Sequence, residues 1–104
     1  MKRYEGTRLA FAVVVTVDGE PLKPRFDLRN HSPTGFEWGY GGSGAAQLAL
    51  AILADHCESV EEALNLYQRF KWDVIAELSD SGWRLDTWDV DAALAGIRMR
   101  EALP

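Results

Sequence analysis

One stretch limits what this chain can fold into more than any other: Gly35-Phe-Glu-Trp-Gly-Tyr-Gly-Gly-Ser-Gly44, running straight into Ala45-Ala-Gln-Leu-Ala-Leu-Ala-Ile-Leu-Ala54. Five of the nine glycines lie between Gly35 and Gly44. A backbone so poor in side chains serves positive φ angles, the close approach of another group, or both. The run that follows consists of Ala, Leu and Ile, which lose little on entering a helix, and Gln47 is its only polar member before Asp55. A helix apolar on every side is buried on every side, because a surface helix shows a polar stripe at the 3.6-residue period. Its length, about ten residues, is far short of the roughly 20 that cross a bilayer. The expectation is a central buried helix at about 45–56 with Ser43 or Gly44 as its N-cap. The glycines then sit at its positive end, where unpaired N–H groups and the helix dipole favour a phosphate, a carboxylate or a buried acceptor.

Gly39, Gly41 and Gly44 spell G-x-G-x-x-G, but the context is wrong for a dinucleotide fold. That motif needs a strand with a closing acid after the helix, and here a second helical pattern follows; no Lys-Ser/Thr pair follows Gly44, as a P-loop requires. Two readings stay open. The glycines either just turn the chain tightly into a buried helix, or the turn also holds a ligand or partner group.

Before the glycine stretch, Tyr4 to Val17 is rich in β-branched residues and too uniformly apolar for a solvated face, which predicts one long or kinked strand with Gly6 near a bulge. Asp18-Gly19 suits a type I′ turn. Glu20 to Lys23 is a short return strand kept to an edge by Pro21 and Pro24. Arg25 to Thr34 reads as a shaped loop, and Phe36-Glu-Trp38 as a short third strand delivering the chain to the turn. Beyond the central helix, Ser59-Val-Glu-Glu62 is a capping box opening a second helix with an apolar stripe at Val60, Ala63, Leu64, Tyr67, Phe70, Val74 and Leu78. Trp72 falls opposite that stripe. Trp83-Arg-Leu85 is a short strand or extended link, and Asp86 caps a last helix whose apolar face is Val90, Ala93, Leu94 and Ile97. The fold class is α+β: an N-terminal β-hairpin plus a short third strand packed on three helices, the first central and buried.

A chain of 104 residues makes one domain and buries roughly 60–65% of its unfolded surface without staples. The lone Cys57 forms no internal bridge, and with no secretory h-region the expectation is a reducing cytoplasm. The net charge of −5 is uneven: residues 1–34 carry six basic and four acidic groups, and residues 35–104 carry five and twelve. Nucleic acid is therefore an unlikely partner for the helical part, since neutralising phosphates supplies most of such affinity. No stretch suits a membrane span.

The chain resembles an uncharacterised family of small prokaryotic and phage proteins of unknown function. The resemblance is carried by Tyr4-x-Gly6-x-Arg8, by Val17-Asp-Gly19 with Pro21-Leu22, and by His31-Ser-Pro-Thr-Gly-Phe-x-Trp-Gly-Tyr-Gly-Gly-Ser-Gly44 with Gln47-Leu-Ala-Leu50. Tyr67-Gln-x-Phe-Lys71 and Trp83-x-Leu85 extend it. It implies a shared α+β domain, often encoded on phage or mobile elements. It implies no activity and supplies no catalytic residues.

Arg29, His31 and Ser32 precede the glycine turn and are expected to gather with Tyr40, Gly41, Gly42, Ser43 and Gly44 around the helix N-terminus. There they would form a site for an anionic small molecule or an acidic group. The plainer reading pairs Arg29 with Asp27 or Glu37, binds His31 and Ser32 to loop backbone, and packs Tyr40 inward. Neither His31 with Ser32 nor His56 with Cys57 makes a convincing nucleophile and base, because adjacent side chains diverge. No repeated Cys or His spacing suggests a metal, and no cofactor is implied, so the expectation leans away from an enzyme. A second functional expectation is a phage-type protein-interaction module or anti-defence inhibitor. It would use the acidic helical face at Glu61 and Glu62, with Trp72 and Trp88 as anchors for a protein partner.

Overall fold

The central helix forms where the Ala/Leu/Ile run places it. In a computed structural model, which describes residues 1–103, helix α1 spans Ser43–His56 and buries every residue from Gly44 to Leu53. Each fully buried Leu or Ile contributes roughly 1.5–3 kcal/mol relative to exposure. Helix α2 (Val60–Asp73) lies along α1, and helix α3 (Thr87–Glu101) packs on α2. Asp86 caps α3 as expected, and of the capping box expected at 59–62 only the Ser59 half forms, because the Glu62 carboxylate is bound to Arg98. Ser59 accepts from the Glu62 N–H at 3.1 Å, and Asp86 and Asp89 form a reciprocal capping box. The cap of α1 differs from expectation: it is Gly42, with no side-chain bond, in place of Ser43 or Gly44.

Strands β1 (Arg3–Arg8), β2 (Val13–Val17), β3 (Glu20–Pro21) and β4 (Gly82–Asp86) make one antiparallel sheet in the order β3-β2-β1-β4. Asp18 and Gly19 turn β2 into β3 with φ of 50° and 84°, as their identities predict. Tyr4, Gly6 and Arg8 alternate toward the core from β1, and Tyr4 and Val15 join the cluster that contains α1.

Four sequence expectations are corrected. Residues 4–17 are two strands joined by a tip at 9–12, closed by Leu9 N–H to Ala12 O at 2.7 Å. The tip sequence Leu-Ala-Phe-Ala contains no turn former, so nothing punctuates the apolar run. Gly6 is no bulge; it pairs in regular register with Val15 and with Trp83, and the Trp83 ring occupies the space a Cβ would need. Phe36-Glu-Trp38 is not a strand. Its alternation comes from Trp38 entering the core, where the indole N–H donates to the carbonyls of Ser79 (2.9 Å) and Asp80 (3.1 Å). The strand flanking β1 comes instead from residues 82–86. The stripe drawn through Leu78 also ends early: α2 stops at Asp73, and a 3-10 turn at Ile75–Glu77 carries the chain on.

Candidate functional site

Gly42 has no side chain and the first turn of α1 has no acid, so among the described residues no side chain caps this helix. Its first internally bonded amide is Ala46, to Gly42 O at 3.0 Å. Among the described residues no acceptor reaches the N–H groups of Ser43, Gly44 and Ala45. Gly44 is obligatory here: a Cβ would lie 2.7 Å from Glu37 Cβ and 3.0 Å from Glu37 N.

Glu37 lies against that turn without capping it, because its carboxylate is held elsewhere. Arg8 donates to it through both terminal nitrogens, Nη2 to Oε1 at 2.8 Å and Nη1 to Oε2 at 3.1 Å. This guanidinium pairing, opposed by some burial, holds the Glu37 carboxyl below its usual 4.5. The Arg8 Nε–H donates to Asp80 O at 3.0 Å, and its guanidinium stands 4.6 Å from the centre of the Trp38 ring. The Arg8–Glu37 pair beside the helix end is thus internally neutralised.

The N-terminus of α1 opens onto a hollow of about 520 Å³ between the hairpin tip and the segment from Ser32 to Glu37. Ser32, Tyr40, Ser43 and Gly44, all singled out from sequence, line it, and Thr34 adds a hydroxyl. Gly41 and Gly42 lie close by, under the rings of Trp72 and Tyr40. Arg29 and His31 are not in its walls. Arg29 is exposed and donates to Leu28 O at 2.6 Å, while His31 Nε2 pairs with the Tyr67 hydroxyl at 2.7 Å.

The loop containing them is held by Gln47. This residue is fully buried; its NH₂ donates to Pro24 O (2.7 Å) and Arg29 O (3.0 Å), and its oxygen accepts from His31 N–H (2.8 Å) and Ser32 N–H (3.4 Å). One amide therefore satisfies four backbone groups and sets Ser32 at the hollow.

On the helical face, Glu62 accepts from Arg98 at 2.7 Å, Asp73 pairs with Arg100, and Asp91 bonds His56 at 2.7 Å, so much of the acidic charge is matched. Glu61 is exposed, as are Trp72 (57%) and Trp88 (69%), with Lys71 Nζ 4.5 Å from the centre of the Trp72 ring. Burial first, and then Glu62, pushes the Cys57 thiol up to about 12, which removes it as a thiolate nucleophile. Among the described residues no cluster of three or more His, Cys, Asp or Glu side chains could hold a metal ion, and no helix is long and apolar enough to cross a membrane.

The chain matches a family of unknown function, DUF6166, over residues 4–96. It belongs to that family. No curated protein and no solved structure matches it. The DUF6166 match runs from β1 into α3 and takes in the sheet, the glycine turn and the hollow. Sequence reasoning passed over three residues that build this DUF6166 site. Gln47 carried a signal, since one amide in a buried apolar run must find partners. Arg8 and Glu37 carried none, because their pairing spans 29 positions.

Proposed function

We propose that this DUF6166 domain is a non-enzymatic binding domain whose hollow receives an anionic small ligand or the acidic group of a partner. The observation that carries the reading is the uncapped N-terminus of α1, where three amides lack an acceptor among the described residues and two of their residues, Ser43 and Gly44, line the hollow. Donors there complement a carboxylate or phosphate through hydrogen bonding and the helix dipole. The hydroxyls of Ser32, Thr34, Tyr40 and Ser43 add neutral donors, and Glu37 offers little repulsion while Arg8 holds it. A catalytic reading has less support, since each histidine ring is already engaged, His31 with Tyr67 and His56 with Asp91. The alternative of a phage-type interaction module working through Glu61 and Glu62 is weakened by the ion pairs on that face.

Backbone amide spectra during titration with inorganic phosphate, acetate and nucleotides test the reading. Millimolar ligand should move the Ser43, Gly44 and Ala45 resonances, and Gly42→Asp, which supplies an internal cap once the exposed Tyr40 ring has swung aside, should abolish the response with the fold intact. Unmoved resonances would refute it.

A further inference from the structure

The sheet has an open edge beside this hollow. Leu9 N–H to Ala12 O (2.7 Å) and Asp18 N–H to Arg3 O (2.8 Å) set the alternation of the β1–β2 ladder, so Ala12, Val14, Thr16 and Asp18 turn their backbone groups toward β1. Val13, Val15 and Val17 turn theirs the other way. Val17 faces Glu20, and Val15 O accepts from Leu22 N–H at 3.0 Å. The chain then leaves the sheet at Lys23-Pro24, and Val13 has no backbone partner on that side among the described residues.

The other edges are blunted. β3 is two residues long and contains Pro21, and β4 carries the exposed Arg84; short strands, proline and charge all discourage pairing. The edge at Val13 has none of these. Beside it Phe11 is fully exposed and Leu9 half-exposed, both lining the hollow that reaches the amides of α1.

An occupant that satisfies all three surroundings has a free backbone for Val13, an apolar side chain for Leu9 and Phe11, and a negative charge for the helix end. We propose that the hollow takes the C-terminal tail of a partner protein, added as an extended strand to β2 at Val13. Its terminal carboxylate lies at the first turn of α1 and its apolar last side chain lies against Leu9 and Phe11. The carboxylate contact rests on the anion-binding reading above; the strand addition rests on the edge.

The test passes a pool of random peptides ending in Val, Leu, Ile or Phe over the immobilised full chain. Retained sequences are then compared as free acids and as C-terminal amides. Free acids should be retained, should protect the Val13 amide from hydrogen exchange, and should lose at least tenfold in affinity on amidation. Val13→Pro removes the unpaired N–H without touching the β1 ladder and should cost at least tenfold. Should that variant fold poorly, hydrogen exchange at Val13 in the unaltered chain, with and without peptide, decides the strand addition by itself.

Retention of no peptide, or binding that leaves Val13 unprotected, overturns the proposal. If phosphate or acetate still moves Ser43 to Ala45 in that case, the anion reading survives alone. Equal binding of acid and amide with Val13 protected overturns the carboxylate contact while supporting strand addition, and leaves the anion reading to the phosphate and acetate titration. Self-association that Val13→Pro abolishes overturns it too, by giving the edge to a second copy of the chain.

Discussion

The N-termini of the three helices are built in two ways. α2 and α3 begin with oxygen-bearing caps, Ser59 and Asp86, and with acids in the first turn. α1 begins with a glycine and has neither. The contrast runs against cost, since α2 and α3 are half-exposed and water would serve their ends, whereas α1 is the buried helix. A stranded buried donor costs roughly 1–3 kcal/mol. The hollow resolves this by leaving the end of the most enclosed element open to whatever enters.

The largest expected effect sharpens the contrast by releasing the loop that walls the hollow. Gln47→Leu strands the carbonyls of Pro24 and Arg29 and the amide of His31. At roughly 1–3 kcal/mol per stranded group, urea unfolding should show a loss of about 3 kcal/mol or more. Next comes the pair Gly44→Ala and Gly96→Ala. In α1 the new methyl meets the Glu37 backbone and should cost about 1–3 kcal/mol. In α3, where no other atom lies within 4 Å, it should add about 0.5–1 kcal/mol. Equal signs in thermal melts would break the comparison. Asp86→Ala should cost about 1 kcal/mol, whereas Gly42→Asp, whose Cβ would lie 2.3 Å from the exposed Tyr40 ring and must displace it, should bring no net gain while closing the helix end.

The smallest effect is pH-dependent. Because Arg8 lowers the folded-state pKa of Glu37, the stabilisation is complete above its usual 4.5 and is lost as pH falls through the folded value. Denaturant titrations of the native chain and of Glu37→Gln should therefore converge on acidification, and a constant gap would contradict the pairing.

What the sequence made legible was decided by local chemistry. The Ala/Leu/Ile run specified α1, Asp18-Gly19 specified its turn, and Ser59 and Asp86 marked their helices, because each signal is complete within a few residues. The tip at 9–12 was hidden, since a uniformly apolar run looks the same whether it continues or folds back. Trp38 was placed in the wrong kind of element because its burial depends on carbonyls about 40 positions away. At the site, the glycine turn and its hydroxyls were visible. The Arg8–Glu37 pair and the open edge at Val13 were not, since both arise only once distant segments meet.

β1 is an inner strand whose second neighbour, β4, comes from the far end of the chain. During synthesis the first hairpin leaves the ribosome long before residues 82–86 exist, and one flank of β1 stays bare while α1 and α2 follow it out. β1 therefore gains its second neighbour only once residues 82–86 have emerged, and a nascent chain arrested before Trp83 would present that flank to any strand nearby.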